Sequence, residues 1–142
     1  MKRIKKEIGL LFLCLFMMNV MGISAQLKED DKVYQVVDIL PHFVSDSSHI
    51  DAPAILNFIS KNIQYPEDAL KIGKQGTVVC EFVVNKDGKI SDIKVTRSIY
   101  PSLDKEAVRV IQSFPKWYPG IINGKNVRTS VKLPVIFRVR NI

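Results

Sequence analysis

The sequence predicts one small domain of mixed helices and strands, on three observations. Its 142 residues, 46% hydrophobic and 25% charged, match a single globular domain, which excludes wholesale disorder, a collagen-like fibre and a polytopic membrane protein. Two stretches repeat apolar residues with a helical period, one after Asp51 and one after Pro101. Between and after them lie an Asp-Gly turn flanked by β-branched runs and a long alternating run near the C-terminus.

The formal charge of +7 invites a nucleic-acid reading until its distribution is traced. Lys2, Arg3, Lys5 and Lys6 against Glu7 place +3 in the first seven residues, and an apolar run from Ile8 to Ile23 follows, ending in Ser24-Ala25-Gln26. That order predicts a secretory signal peptide over residues 1–25, cleaved after Ala25. The alternative is a short uncleaved anchor, although the run falls short of the roughly 20 residues that span a bilayer. Cleavage leaves about 117 residues with Cys80 as the only thiol, so no internal disulfide forms and stability must come from the core. Export, the absence of zinc-ligand spacing and the lack of stacking aromatics together exclude nucleic acid as a partner.

Residues 26–50 read as an extended lead-in and linker, and 51–142 as the folded domain. Val33 to Leu40 is a short extended segment closed by Pro41, and Phe43 to Ile50 is polar and turn-forming. Asp51 can cap a helix whose apolar face is Ala52, Ile55, Leu56, Ile59 and Ile63. Pro66 ends that unit and opens a short turn of helix to Lys71, stopped near Gly73. Thr77 to Val84 and Lys89 to Arg97 are antiparallel strands joined by Asn85-Lys86-Asp87-Gly88. Both faces of the first strand are largely apolar, so periodicity leaves its core face open.

Pro101-Ser102 opens the second long helix, with Leu103, Ala107, Val110, Ile111 and Phe114 on one face and Pro115 as its stop. Trp117 to Ile122 is extended and Asn123-Gly124 is a turn. Val127 to Val139 then alternates, with odd positions apolar apart from Thr129 and even positions including Arg128, Ser130, Lys132, Arg138 and Arg140. Pro134 has no N–H, so this strand must have a free edge, with the even-numbered backbone groups turned towards it. A long edge with a cationic outer face is either protected from aggregation by charge or kept open for a partner, and the residues alone leave both readings standing.

No enzymatic constellation emerges. His42, His49, Asp46 and Asp51 fall in a polar loop without a helix or hairpin to fix metal-ligand spacing. There is no Gly-rich phosphate loop, nucleophile elbow or Cys–His pair, and no cofactor motif. Cys80 lies within an apolar strand, where a buried inert thiol is expected, and Trp117 reads as a packing residue ahead of a possible binding platform.

In order and spacing, Tyr65-Pro66, Ala69, Gly73, the strand Gly76 to Val84, Asp87-Gly88, Leu103-Asp104, Ala107, Trp117-Tyr-Pro-Gly120, Gly124-Lys125, Val127 and Leu133-Pro-Val-Ile-Phe137 resemble the C-terminal domain of TonB-type energy transducers. Upstream, Val33 to Val37, Pro41-His-Phe43 and the helix leading to Asn62-Ile-Gln-Tyr-Pro66 are similar to the lead-in of one branch of that family. There the phenylalanine is usually followed by Pro-Gly-Gly, where this chain has Val44-Ser-Asp-Ser.

The resemblance implies an α+β fold, a three-stranded antiparallel sheet (ββαβ core) with helices packed on one face, that binds and does not catalyse. It implies a periplasmic protein whose partners are TonB-dependent outer-membrane receptors, gripped by an N-terminal box that adds as a strand beside the last strand. A proton-driven inner-membrane motor complex is a further partner in the family. The implied contact residues are Asn62, Ile63 and Gln64 before the Tyr-Pro pair, with Arg128, Ser130, Lys132 and Arg138 biasing partner choice. Family transducers also carry a full membrane anchor and a long Pro-rich arm. Here about 25 residues separate Gln26 from Asp51, reaching at most about 90 Å. Two functions are therefore expected in competition: a transducer component in TonB-dependent transport, or a free periplasmic interaction module without energy coupling. An exposed edge also makes a strand-exchanged homodimer conceivable.

Overall fold

The computed structural model describes residues 31–43 and 52–140. The leader expected over residues 1–25, and the segment with Asp46, His49 and Asp51, lie outside the described residues. Strands β1 (Val33–Tyr34) and β2 (His42–Phe43) precede helices α1 (Ala52–Asn62) and α2 (Glu67–Lys71). The hairpin β3 (Gly76–Val84) and β4 (Ile90–Arg97) follows, then α3 (Pro101–Gln112), β5 (Trp117–Tyr118), β6 (Gly120–Ile122) and β7 (Lys125–Phe137).

The centre of the sheet is β7–β3–β4, all antiparallel. β3 pairs with β7 without interruption from Gly76↔Phe137 to Val84↔Thr129. The three-stranded core is extended by two short additions: β6 folds back on β7, and β1 runs parallel to β7, Val33 beside Arg128 and Tyr34 beside Thr129. Of the stretch from Val33 to Leu40 that composition predicts as extended, only Val33–Tyr34 pairs as a strand, with bends after it and a single bridge from Ile39 to Ile121.

The register left open by the sequence is settled by burial. Val78, Cys80, Phe82 and Val84 are all fully buried and form the core face of β3, opposite Val135, Leu133, Val131 and Thr129 of β7. α3 lays Leu103, Ala107, Val110 and Ile111 on that face, and α1 adds Ile59. Phe43, Phe58, Phe114 and Trp117 close one end of the core, with neighbouring rings 5.0–5.7 Å apart in tilted and edge-on contacts.

The turns use the backbone the sequence supplies. Gly88, at φ +81, donates its N–H to the Asn85 carbonyl, and its own carbonyl accepts the Trp117 N–H. A Cβ at this position would lie 2.0 Å from the Trp117 carbonyl oxygen, so only glycine lets the hairpin tip meet the Trp117 strand. Asn123 and Gly124, at φ +50 and +74, make the tight link from β6 to β7.

Candidate protein-binding site

Pro134 stands opposite Val79. Antiparallel partners alternate between pairs that exchange both hydrogen bonds and pairs that exchange none. A residue without an N–H belongs to the second kind, so the bonded pairs with β3 are the odd-numbered ones of β7: Thr129, Val131, Leu133, Val135 and Phe137. The N–H and carbonyl groups of Ser130, Lys132 and Ile136, and the carbonyl of Pro134, therefore point away from β3. On that side β1 covers Arg128 and Thr129; because Thr129 turns its own groups to β3, the parallel pair with Tyr34 is closed through the flanking Arg128 carbonyl and Ser130 N–H, and no described strand pairs from the Ser130 carbonyl to Phe137.

The opposite rim of the sheet is built differently. β4 shifts register against β3 twice, between Val79 and Cys80 and between Glu81 and Val83, and Asp92 on β4 sits at φ +52. Bulges twist an edge and break its run of bonding groups, and the exposed Asp92, Lys94 and Arg97 add charge to it. Of the two rims, β4 is blunted and β7 is straight.

The residues expected to bind fall into three groups. Ser130, Lys132 and Arg138 lie on or just beyond the straight edge. Lys132 and Arg138 are exposed, while the Ser130 hydroxyl donates to Glu81 at 2.7 Å. Arg128 is committed elsewhere: its guanidinium donates to Asn85 Oδ1 at 2.9 Å and pairs with Asp92 at 3.1 Å, and its backbone lies beside β1. Asn62, Ile63 and Gln64 form the exit of α1, and α3 holds them in place. Glu106 Oε1 accepts the Gln64 N–H at 2.7 Å, and Arg109 donates to the Asn62 carbonyl at 2.7 Å and to Glu106 at 2.6 Å.

Glu106 and Arg109 carry no role in the family-derived contact set, yet they anchor one part of it. The signal was present: Glu106 falls three residues after Leu103, on the apolar stripe of α3, where a carboxylate needs partners. Burial alone would raise its pKa, but the Arg109 hydrogen bond, the Gln64 N–H and the Arg109 charge outweigh that and hold it below its ordinary value. Cys80 shows the opposite balance, with burial and the Asp104 charge pushing the thiol up to about 11. Such a thiol is inert at neutral pH. His42 stacks on Tyr118 at 4.6 Å, and no group of three His, Cys, Asp or Glu gathers as a metal set among the described residues. No described helix is long and apolar enough to cross a membrane.

A family model described as Gram-negative bacterial TonB protein C-terminal matches residues 61–139, more than half of the chain. The chain is 27% identical to a solution structure of the Helicobacter pylori TonB C-terminal domain, with 62% of this chain and 79% of that one covered and a TM-score of 0.48. It is 26% identical to the Pseudomonas aeruginosa TonB C-terminal domain, covering 56% and 81% with a TM-score of 0.47. No curated protein matches the sequence.

Proposed function

The chain belongs to the family of Gram-negative bacterial TonB protein C-terminal domains, and on that premise we propose that it binds N-terminal segments of outer-membrane receptors in the periplasm by strand addition at β7, as part of TonB-dependent transport. The observation that supports this reading is the straight edge from the Ser130 carbonyl to Ile136, which no described strand pairs, set against a β4 edge blunted by two bulges. Main-chain pairing supplies affinity that tolerates sequence variation in the partner, as a domain serving several receptors needs. The cationic residues after Glu106 favour encounter with acidic segments and leave the final bound register to the backbone.

Lys132→Pro tests the site. Lys132 turns its N–H outwards, so the substitution leaves the β3 ladder intact while removing a donor from the partner's side. Circular dichroism should match the parent protein and capture of a receptor N-terminal peptide should be lost. Undiminished capture by this variant refutes the edge.

A further inference from the structure

Residues 33–43 are fastened to the rest of the domain in stages, and the grip weakens towards the N-terminus. Phe43 is buried against Trp117, with 5.7 Å between ring centres, and His42 pairs with Tyr118. Before them, the Ile121 carbonyl accepts the Asp38 and Ile39 amides at 2.9 and 3.1 Å, and the Ile121 N–H donates to the Ile39 carbonyl at 3.0 Å. The Asp38 carboxylate accepts the Asn123 N–H at 2.8 Å. β1 is the last stage, and neither of its two residues is buried. Between β1 and Asp38 the chain bends at Gln35 and Val36, and Val36 is 84% exposed.

β1 runs in the same direction as β7, so its exit points along the edge towards Ser130. Tyr34, beside Thr129, takes the Arg128 carbonyl and the Ser130 N–H, the first bonding groups on the side of β7 that no described strand pairs further on. A strand laid along that side meets Gln35 and Val36 before it reaches the Ser130 N–H. Two parallel residues at an edge make a weaker ladder than a continuous antiparallel strand, and a contact with so little burial opens locally, without global unfolding. The bonds at Asp38 and Ile39 lie beyond the bend, so they hold when β1 leaves.

We infer that β1 is a detachable self-strand: it fills the first bonding positions of the β7 edge in the free protein and is displaced, still tethered at Asp38 and Ile39, when a partner strand adds. The inference rests on strand addition at β7 and gives that edge a built-in competitor. Affinity for a partner is then scaled by the fraction of molecules in which β1 is undocked.

Residue-resolved amide exchange on the full chain, with and without a receptor N-terminal peptide, tests it. In the free protein the Tyr34 and Ser130 amides should be slow. On binding, Tyr34 should speed up at least about tenfold, the reverse of Lys132 and Ile136, while Asp38 and Ile39 stay slow. Tyr34→Pro removes the donor to the Arg128 carbonyl. In this variant the free Ser130 amide should exchange about as fast as that of Lys132, the melting temperature should move by less than about 4 °C, and the peptide should bind about fivefold tighter. Val33→Gly keeps every donor and should shift exchange and binding the same way by a smaller factor. A Tyr34 amide that stays slow in the complex while Lys132 and Ile136 slow down overturns the self-strand and leaves the edge standing. So does a pair of variants that bind the peptide no tighter than the parent protein. Lys132 and Ile136 amides left fast with the peptide bound bring down strand addition itself, and the self-strand with it.

Discussion

Glu106 sits where α3 should be apolar, and its carboxylate is kept there by Arg109 and by the Gln64 N–H. Its pKa is held below the ordinary 4.5, so the folded protein binds fewer protons here than the unfolded chain does. The stabilisation is fully present above about pH 4.5 and is lost as pH falls through the lowered value. Glu106→Gln should flatten the acid limb of a plot of unfolding free energy against pH, leaving the alkaline limb alone. Glu106→Ala should cost about 1–3 kcal/mol at neutral pH by stranding the Gln64 N–H. A parallel acid limb in the Gln variant would show that this network does not carry the dependence. Cys80 gives a second test at this scale. Fully buried and with a pKa of about 11, it should resist a thiol reagent at pH 7.5 until denaturant is added, and labelling of the native chain starting at Gln26 would contradict that placement.

Among the elements, β7 is the one on which the proposed function rests. Pro134 fixes the parity of the strand, and parity separates positions bonded to β3 from positions that face the open edge, where the proposed partner would add. Leu133→Pro should therefore destabilise by more than about 2 kcal/mol, because Leu133 belongs to a bonded pair with Cys80, whereas Lys132→Pro should leave the melting temperature nearly unchanged. Equal losses from the two would mean the parity is wrong. The hairpin offers a test of the fold itself. Gly88→Ala combines a left-handed φ with a Cβ pressed into the Trp117 carbonyl, and should cost about 1–3 kcal/mol by thermal or urea unfolding.

How much of this was legible depended on the element. The helices over Ala52–Asn62 and Pro101–Gln112 were readable because their apolar positions recur with one period, and the β3–β4 hairpin because Asp87-Gly88 fits one turn. The open edge was readable from a single residue, Pro134. The core face of β3 was not, since Val79 and Val83 make its outer face nearly as apolar as Val78, Cys80, Phe82 and Val84 make the inner one. Nor was the parallel docking of Val33–Tyr34 on Arg128–Thr129, or the grip of Arg109 on the Asn62 carbonyl. Such contacts join distant parts of the chain through backbone atoms that every residue shares.

At the scale of the whole molecule, the basic surplus falls into two parts of the sequence. The first cluster belongs to the expected leader, and intact mass of the protein recovered from the periplasm should correspond to a chain beginning at Gln26. A chain retaining Met1 in the inner membrane would contradict cleavage. Near the C-terminus Lys125, Arg128, Lys132, Arg138 and Arg140 lie on β7 or just after it, beside its open backbone. An edge open to a partner strand is open to a second copy of this chain as well, so on the proposed function sedimentation with and without peptide should show any dimer dissociating as peptide binds. The most direct test of the edge is residue-resolved amide exchange. The amides of Lys132 and Ile136 should exchange fast in the free protein while Val131, Leu133 and Val135 are protected by β3 and Ser130 by β1, and a receptor N-terminal peptide should slow the first pair. Lys132 and Ile136 amides already protected in the free protein, or left fast when the peptide is bound, would contradict strand addition at β7.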